Sequence, residues 1–256
     1  MKLKGKMPVI VSVPYRDDFS LSVLERDKRA FRKIQSGLCQ FISKVDIPVK
    51  NNNTLANRVI LSVEKAAEDK HLVDIYSFNY THVRSNGCLV QAELLHYIHG
   101  CCENNNIIIG TRDSLEIPDE YVFLMKPFDH KYYPTPLVED LAAADEIIIF
   151  GHSLGENDQQ YFKAFFKRQV SHEGARRRTI TIITRDEDSE IEIKRALLKM
   201  TDGNVSSLFS QNEIRILHTK RLKEDNERLL KFLSDYYEDE LSVSRMIGEL
   251  VKPRKV

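Results

Sequence analysis

The chain has 256 residues, of which 42% are hydrophobic and 30% are charged, so it is long enough for one large domain and differs from a disordered or fibrous chain. Lysine plus arginine and aspartate plus glutamate number 38 each, a balance that gives no general attraction to nucleic acid or to an acidic membrane. The cysteines show no disulfide pattern, and no run approaches the roughly 20 apolar residues of a membrane span, so we expect a cytoplasmic protein with reduced thiols.

The first 70 residues are predicted to be mainly helical, after a short strand at 9–13. Apolar residues recur at steps of three and four between 21 and 45, which predicts an amphipathic helix. Pro48 and the asparagine run that follows it end this helix. A second helix is predicted at 54–69. We therefore assign residues 1–70 to a helical segment that packs on the rest of the chain.

Residues 71–256 alternate between short apolar runs and helical patterns. The predicted strands are 73–78, 94–98, 107–109, 145–150, 179–184 and 214–217. The predicted helices are 158–170, 187–200 and 222–237. This alternation predicts an α/β domain with a mostly parallel, Rossmann-like sheet flanked by helices. The proline-rich segment 111–136 is predicted to be a long loop and a candidate lid.

Three polar strings follow predicted strands. They are Ser77–Thr81 (SFNYT), His96–Gly100 (HYIHG) and Phe150–Leu154 (FGHSL). Ligands of parallel α/β sheets bind just beyond the carboxyl ends of the strands. We therefore expect the three strings to form one site from distant parts of the chain.

The third string also fits the G-x-S-x-G nucleophile elbow of α/β-hydrolases, with Ser153 as the nucleophile. Asp186 and His218 follow later strands in the hydrolase order, so a serine hydrolase remains an alternative. Against it, residues 156–158 look like a loop that ends in a helix cap. This alternative also leaves the first two strings unexplained.

A zinc site is a further alternative, because His96 and His99 lie close to Cys101 and Cys102. Side chains alternate along a strand, so the two histidines are expected on opposite faces. No second group of ligands completes the set. We expect no metal.

Taken together, Phe78–Thr81, Ile98–Gly100 with Ile107–Gly110, and Ile149–Leu154 with Asp158 resemble the AbiH family of phage abortive-infection proteins. More distantly, they resemble the sirtuin-like NAD-binding domains of other phage-defence proteins. The resemblance covers residues 73–165. It implies a sirtuin-like fold, antiviral defence, and an NAD-like nucleotide as ligand or substrate.

AbiH-like chains usually open with a strand and a Gly-Asn-Gly-Phe-Asp loop, whose backbone would hold a pyrophosphate. The present sequence has no such string. We expect either a divergent member or a segment that begins after that loop. For this reason a non-catalytic sensor or scaffold is a third alternative.

The resemblance implies roles for particular residues, because sirtuin-like enzymes break the bond between nicotinamide and ribose. Asn79 would orient the ribose or the attacking water, and His99 would act as general base. Ser153 would contact the adenosine side. The other implied nucleotide-binding residues are Tyr80, Thr81, Gly100, Gly151, His152, Leu154, Thr184 and Arg185.

Two further residues and the partners complete these expectations. Asp158 and Tyr161 are interpreted as residues that cap and pack the following helix. The expected partners are an NAD-like nucleotide and a phage-derived trigger, and homo-oligomer formation is left open.

Overall fold

The computed structural model describes residues 18–45, 59–60, 73–85, 88–89, 95–113, 115–171 and 176–220. The predicted strand at 9–13 and the predicted helix at 222–237 lie outside these residues. So does most of the predicted helix at 54–69.

The long N-terminal helix α1 spans Asp18–Val45, close to the prediction of 21–45. It packs against the middle of the chain through polar and apolar contacts. Gln35 Nε2 donates to the carbonyl of Ile107 at 2.6 Å, and Phe31 meets Phe123 edge to face with centroids 5.8 Å apart. None of the described helices is long and apolar enough to cross a membrane.

The first sheet pairs β1 (Ile75–Ser77) with β4 (Leu95–Tyr97) in parallel, as the sequence predicted, although both strands are shorter than predicted. The amide of Ile98 donates to the carbonyl of Ser77 and extends this pairing by one bond. In the sequence between these two strands is a short antiparallel hairpin, β2 (Arg84–Ser85) and β3 (Cys88–Leu89), which was not predicted.

The predicted strand at 107–109 is wrong. Among the described residues the segment pairs with no strand, and the amide of Ile108 donates to the carbonyl of His99 at 2.8 Å. The reason is the turn at Gly100, which has a φ of +71° and brings the chain back beside its own strand end.

The predicted long loop at 111–136 has more structure than expected. It contains two 3-10 helices, Asp119–Leu124 and Lys126–Phe128. Pro118 directly precedes the first helix and Pro127 lies in the first turn of the second, where a missing amide hydrogen costs nothing. A parallel bridge joins Thr111 at the start of the segment to Met125, which lies between the two 3-10 helices.

The second sheet contains β5 (Glu146–Phe150), β6 (Thr179–Thr184) and β7 (Glu213–His218) in that order, all parallel. Its helices are α2 (Leu137–Ala143), α3 (Gln159–Gln169), α4 (Glu187–Met200) and α5 (Val205–Gln211). The predicted strands and the predicted helices at 158–170 and 187–200 are confirmed, whereas α2 and α5 were not predicted. The protein is thus an α/β protein with short parallel sheets and a long N-terminal helix.

One hydrophobic cluster connects the two sheets. It contains Ile98 beside β4, Ile149 of β5, Phe162 of α3 and the fully buried Ile180 and Ile182 of β6. Thr181 and Ile183, which face the other side of β6, are buried too, so the strand is covered on both faces, as the continuous apolar run predicted. The carboxyl ends of β1, β4 and β5 are therefore held at fixed positions by a shared core.

Candidate functional site

The three polar strings meet around the ring of Phe78, which directly follows β1. Its centroid lies 5.5 Å from that of His99, after β4, and 4.4 Å from that of His152, after β5. Phe78 also stacks on Phe162 of α3 at 5.5 Å. The structure therefore brings together the parts of the chain that the sequence placed at strand ends.

A buried ionic cluster contacts this aromatic group. Lys126 Nζ and His99 Nε2 each lie 2.9 Å from Asp158 Oδ1 and 3.1 Å from each other. His152 Nε2 lies 3.5 Å from Asp158 Oδ2. Lys126 and His99 are each only 5% exposed. A buried ammonium is stable only when it is paired, so Asp158 is the group that allows Lys126 to stay inside the protein.

The sequence suggested that Asp158 caps α3, but its side chain does not. It occupies the position before the helix but makes no capping hydrogen bond with its side chain. Burial raises the pKa of Asp158, but hydrogen bonds from His152, His99 and Lys126 and the charge of Lys126 outweigh burial, so the pKa lies well below its usual range. The carboxylate is therefore ionised and committed to the cluster.

The hydrogen bonds assign the proton of one of the two histidines. The amide of Leu154 donates to His152 Nδ1 at 2.9 Å, so the proton of His152 is on Nε2, facing Asp158. His99 Nε2 lies within hydrogen-bond distance of both the Asp158 carboxylate, which accepts, and the Lys126 ammonium, which donates, so its contacts fit either tautomer. His99 Nδ1 is buried without a hydrogen-bond partner among the described residues.

The remaining predicted residues fall into three groups by exposure. Asn79, Gly151, Ser153 and Arg185 are exposed. Tyr80, Thr81 and His152 are half-buried. Thr184 is 7% exposed and Leu154 is fully buried in the core. Tyr161 is 9% exposed and packs in the core as predicted, and burial is the main cause that raises its pKa to about 12.

The two predicted ligand-facing glycines differ in their surroundings. A Cβ on Gly100 would lie 2.0 Å from the backbone oxygen of Asn106, so this glycine is required by the turn itself. A Cβ on Gly151, whose φ is +63°, would meet nothing within 4 Å. Gly151 therefore leaves open space beside the strand end, as a site for close approach to a ligand requires.

The geometry does not favour a serine hydrolase at Ser153. Asp186 Oδ1 accepts from the backbone amide of Ser189, so it caps α4. His218 Nε2 lies 2.7 Å from Glu190 Oε2. The predicted acid and base thus each contact a residue of α4, whereas a triad needs the acid on the histidine and the histidine on the serine.

The residues considered for zinc face different partners. His96 Nε2 lies 3.0 Å from Asp74 and His99 Nε2 lies 2.9 Å from Asp158. Within the described parts of the chain, no group of three or more histidine, cysteine or acidic side chains has the arrangement of a metal site. The ammonium of Lys126 beside Asp158 also repels a cation there.

Sequence reasoning missed Lys126 as a site residue. It lies in a segment predicted as a loop, where a single lysine is ordinarily solvated. The available signal was its position directly after the apolar run Tyr121–Met125 and before Pro127, a context that is unusual for an exposed lysine.

The comparisons with known proteins identify the family. Residues 14–182 match the family model described as bacteriophage abortive infection AbiH, which is about two thirds of the sequence. The chain belongs to the AbiH family. The matched range contains Asn79, His99, Lys126 and Asp158, whereas Thr184 and Arg185 lie beyond it. Searches of curated proteins and of solved structures give no significant match.

Membership in AbiH supports a role in phage abortive infection, a form of defence against bacteriophages. The buried cluster lies in the part of this AbiH protein that carries the family match. It is therefore the first place to look for the chemistry of that role.

Proposed function

We propose that this AbiH protein binds an NAD-like nucleotide at the carboxyl ends of β1, β4 and β5 and hydrolyses its nicotinamide–ribose bond. The observation that carries the proposal is His99, a buried histidine oriented by Asp158 whose Nδ1 has no hydrogen-bond partner among the described residues. In this proposal the proton of His99 is on Nε2, facing Asp158, and Nδ1 is unprotonated, as a general base requires.

The proposed reaction is a displacement by water. The water oxygen forms a bond to the ribose carbon that carries nicotinamide, the carbon–nitrogen bond breaks, and nicotinamide leaves as the neutral base. His99 Nδ1 accepts the proton of the water. Lys126 keeps Asp158 ionised, and the Asp158 carboxylate stabilises the imidazolium that forms against the repulsion of the Lys126 ammonium 3.1 Å from His99 Nε2.

The exposed strand-end residues would hold the nucleotide. Asn79 lies at the exposed edge directly after Phe78, where its amide suits the ribose hydroxyls or the attacking water. The open space at Gly151 suits a close approach of the phosphates or ribose. Ser153 would contact the adenosine side, and Thr184 and Arg185 would lie farther along the nucleotide.

The finer assignment of the fold belongs to the same proposal. We infer that the parallel sheets form a Rossmann-like, sirtuin-like domain, supported by a site just after β1, β4 and β5, each of which pairs in parallel within its own sheet. Loss of NAD in the cytoplasm of an infected cell would stop phage growth. A phage-derived trigger and a homo-oligomer would fit this role.

The test measures NAD loss by the purified full chain beside matched variants. His99→Ala is expected to abolish NAD loss, Asn79→Ala to reduce it at least tenfold, and His96→Ala to leave it unchanged. His96 is the control because it lies on β4 and pairs with Asp74 outside the cluster. Circular dichroism establishes that each variant is folded.

Three outcomes contradict the proposal in different ways. Nucleotide binding by calorimetry without turnover would favour the non-catalytic sensor. Labelling by a fluorophosphonate that disappears in Ser153→Ala would favour the hydrolase. If the protein shows no nucleotide binding and no turnover, the nucleotide site itself is contradicted.

A further inference from the structure

A second candidate site lies at the amino end of the second sheet, opposite the candidate active site. Asp145 directly precedes β5 and Arg178 directly precedes β6, so both mark the amino end of the parallel sheet. The candidate active site follows the carboxyl end of β5, which is about 20 Å away at roughly 3.3 Å per residue. The two sites are thus on opposite edges of the protein.

This second site is a cavity of about 150 Å³ lined by arginine and apolar residues. The lining includes three arginines, Arg168, Arg176 and Arg178, and the apolar residues Phe165 and Val138. Arg168 and Phe165 come from α3 and Val138 comes from α2, whereas Arg176 and Arg178 belong to the segment directly before β6.

Arg178 is the buried arginine of this lining. It is 7% exposed, and its guanidinium Nη2 donates to the carbonyl of Ala142 at 2.6 Å near the end of α2. This bond is typical of an arginine that caps the carboxyl end of a helix. Its Nε, however, is buried without a hydrogen-bond partner among the described residues.

The charges at the cavity are not balanced by the described residues. Asp145 forms an ion pair with Arg176 and lies 3.6 Å from Arg178, while the cavity is lined by three guanidinium groups. Burial lowers the pKa of Arg178, and the positive charges of Arg176 and Arg168 lower it further. Three cations that repel one another around a hollow are stabilised when an anion enters it.

We propose that the cavity between α2, α3 and the amino end of β6 binds a small phosphate monoester, with its phosphate on Arg168 and Arg176 and its organic part against Phe165. Arginine suits this role because its planar group donates two parallel hydrogen bonds to phosphate. The apolar residues of the lining explain why a monoester fits better than free phosphate. The site is separate from the proposed NAD site and does not depend on it.

The test is calorimetric titration of the full chain with phenyl phosphate, with inorganic phosphate and phenol as reference probes. Phenyl phosphate is expected to bind more tightly than either reference. Arg168→Gln with Arg176→Gln is expected to weaken binding at least tenfold, since two charge-assisted contacts are lost. Arg195→Gln, which removes an exposed arginine on α4, is expected to leave binding unchanged.

A variant that is expected to tighten binding, instead of weakening it, adds a second test. Asp145 is 80% exposed and competes with an anion for Arg176. Asp145→Asn is therefore expected to tighten the binding of phenyl phosphate several-fold without affecting the fold. Arg178 is left intact in all variants, because its loss would also remove the bonds that end α2.

Each of the following results overturns the proposal: no measurable binding of phenyl phosphate, equal weakening by Arg195→Gln, or no change in the double variant. Binding of a single-stranded oligonucleotide that depends on Arg168 and Arg176, without binding of phenyl phosphate, also overturns it in favour of a nucleic-acid contact.

Discussion

At the scale of single residues, Lys126 and Asp158 depend on each other. Lys126 is 5% exposed and its nitrogen lies 2.9 Å from Asp158 Oδ1. Removing one partner of a buried ion pair leaves the other charge without compensation, whereas removing both leaves none. The pair therefore makes a clear prediction about how two substitutions combine.

We expect Lys126→Met and Asp158→Asn each to lower the free energy of unfolding by about 3 kcal/mol. The double variant should lose clearly less free energy of unfolding than the two single variants lose together, because neither charge remains without its partner. Urea unfolding of the four proteins, followed by circular dichroism, measures this coupling. Additive losses would mean that the two groups do not stabilise each other.

The pH dependence of stability provides a second test of Asp158. Its pKa is lower in the folded protein than its unfolded value of about 3.9, so its contribution is complete above about pH 5 and is lost as the pH falls toward the folded-state pKa. The stability difference between the wild-type protein and Asp158→Asn should therefore shrink between pH 5 and pH 2. Urea midpoints at several pH values measure it, and a constant difference would contradict the assignment.

At the scale of elements, the turns after β4 and β5 have different reasons for their glycines. Gly100 and Gly151 both have a positive φ, which L residues rarely adopt. Only Gly100 also lies against backbone, with a Cβ position 2.0 Å from the oxygen of Asn106. Gly100 is thus required because the backbone of Asn106 packs against it, whereas the space beside Gly151 is open.

Gly151→Ala should therefore cost only the backbone strain, about 1–2 kcal/mol, while Gly100→Ala should cost more than about 3 kcal/mol or prevent folding, since the backbone must move. Thermal unfolding of the two variants tests the order. Calorimetry on folded Gly151→Ala should show weakened nucleotide binding, because the added methyl group fills the open space. Equal thermal stability of the two variants would refute this account of the turns.

At the scale of the whole molecule, the two sheets share one hydrophobic core. Phe162 of α3 is 5% exposed and stacks on Phe78 beside β1, and it belongs to the same cluster as Ile98 and Ile182. A shared core makes the two sheets unfold together, because neither can lose its contacts without exposing the other.

Phe162→Ala should lower the free energy of unfolding by about 3–5 kcal/mol. Hydrogen exchange followed by mass spectrometry should show the same loss of protection in β4 and in β6. Phe41→Ala is the control, since Phe41 on α1 is 65% exposed. A loss confined to β6 would show that the sheets unfold separately.

The confirmed predictions concern elements whose signal is local. The helix at 187–200 and the strand at 179–184 match the structure in full, because their periodicity and length are written in consecutive residues. The failed strand at 107–109 has the same apolar composition as a strand. Its backbone has no ladder partner in the described part of the chain, and the presence of a partner depends on the surrounding chain and not on the segment itself.

The sequence by itself determined that α/β elements follow one another, that polar strings end three of the strands, and that the chain resembles AbiH. Only the tertiary structure decided that Lys126 is buried, that Asp158 pairs with it instead of capping α3, and that Arg178 meets Arg168 and Arg176 at a cavity. The physical reason is that helix and strand patterns depend on neighbours in sequence, whereas pairing and burial of charge depend on distances between residues that are remote in the chain.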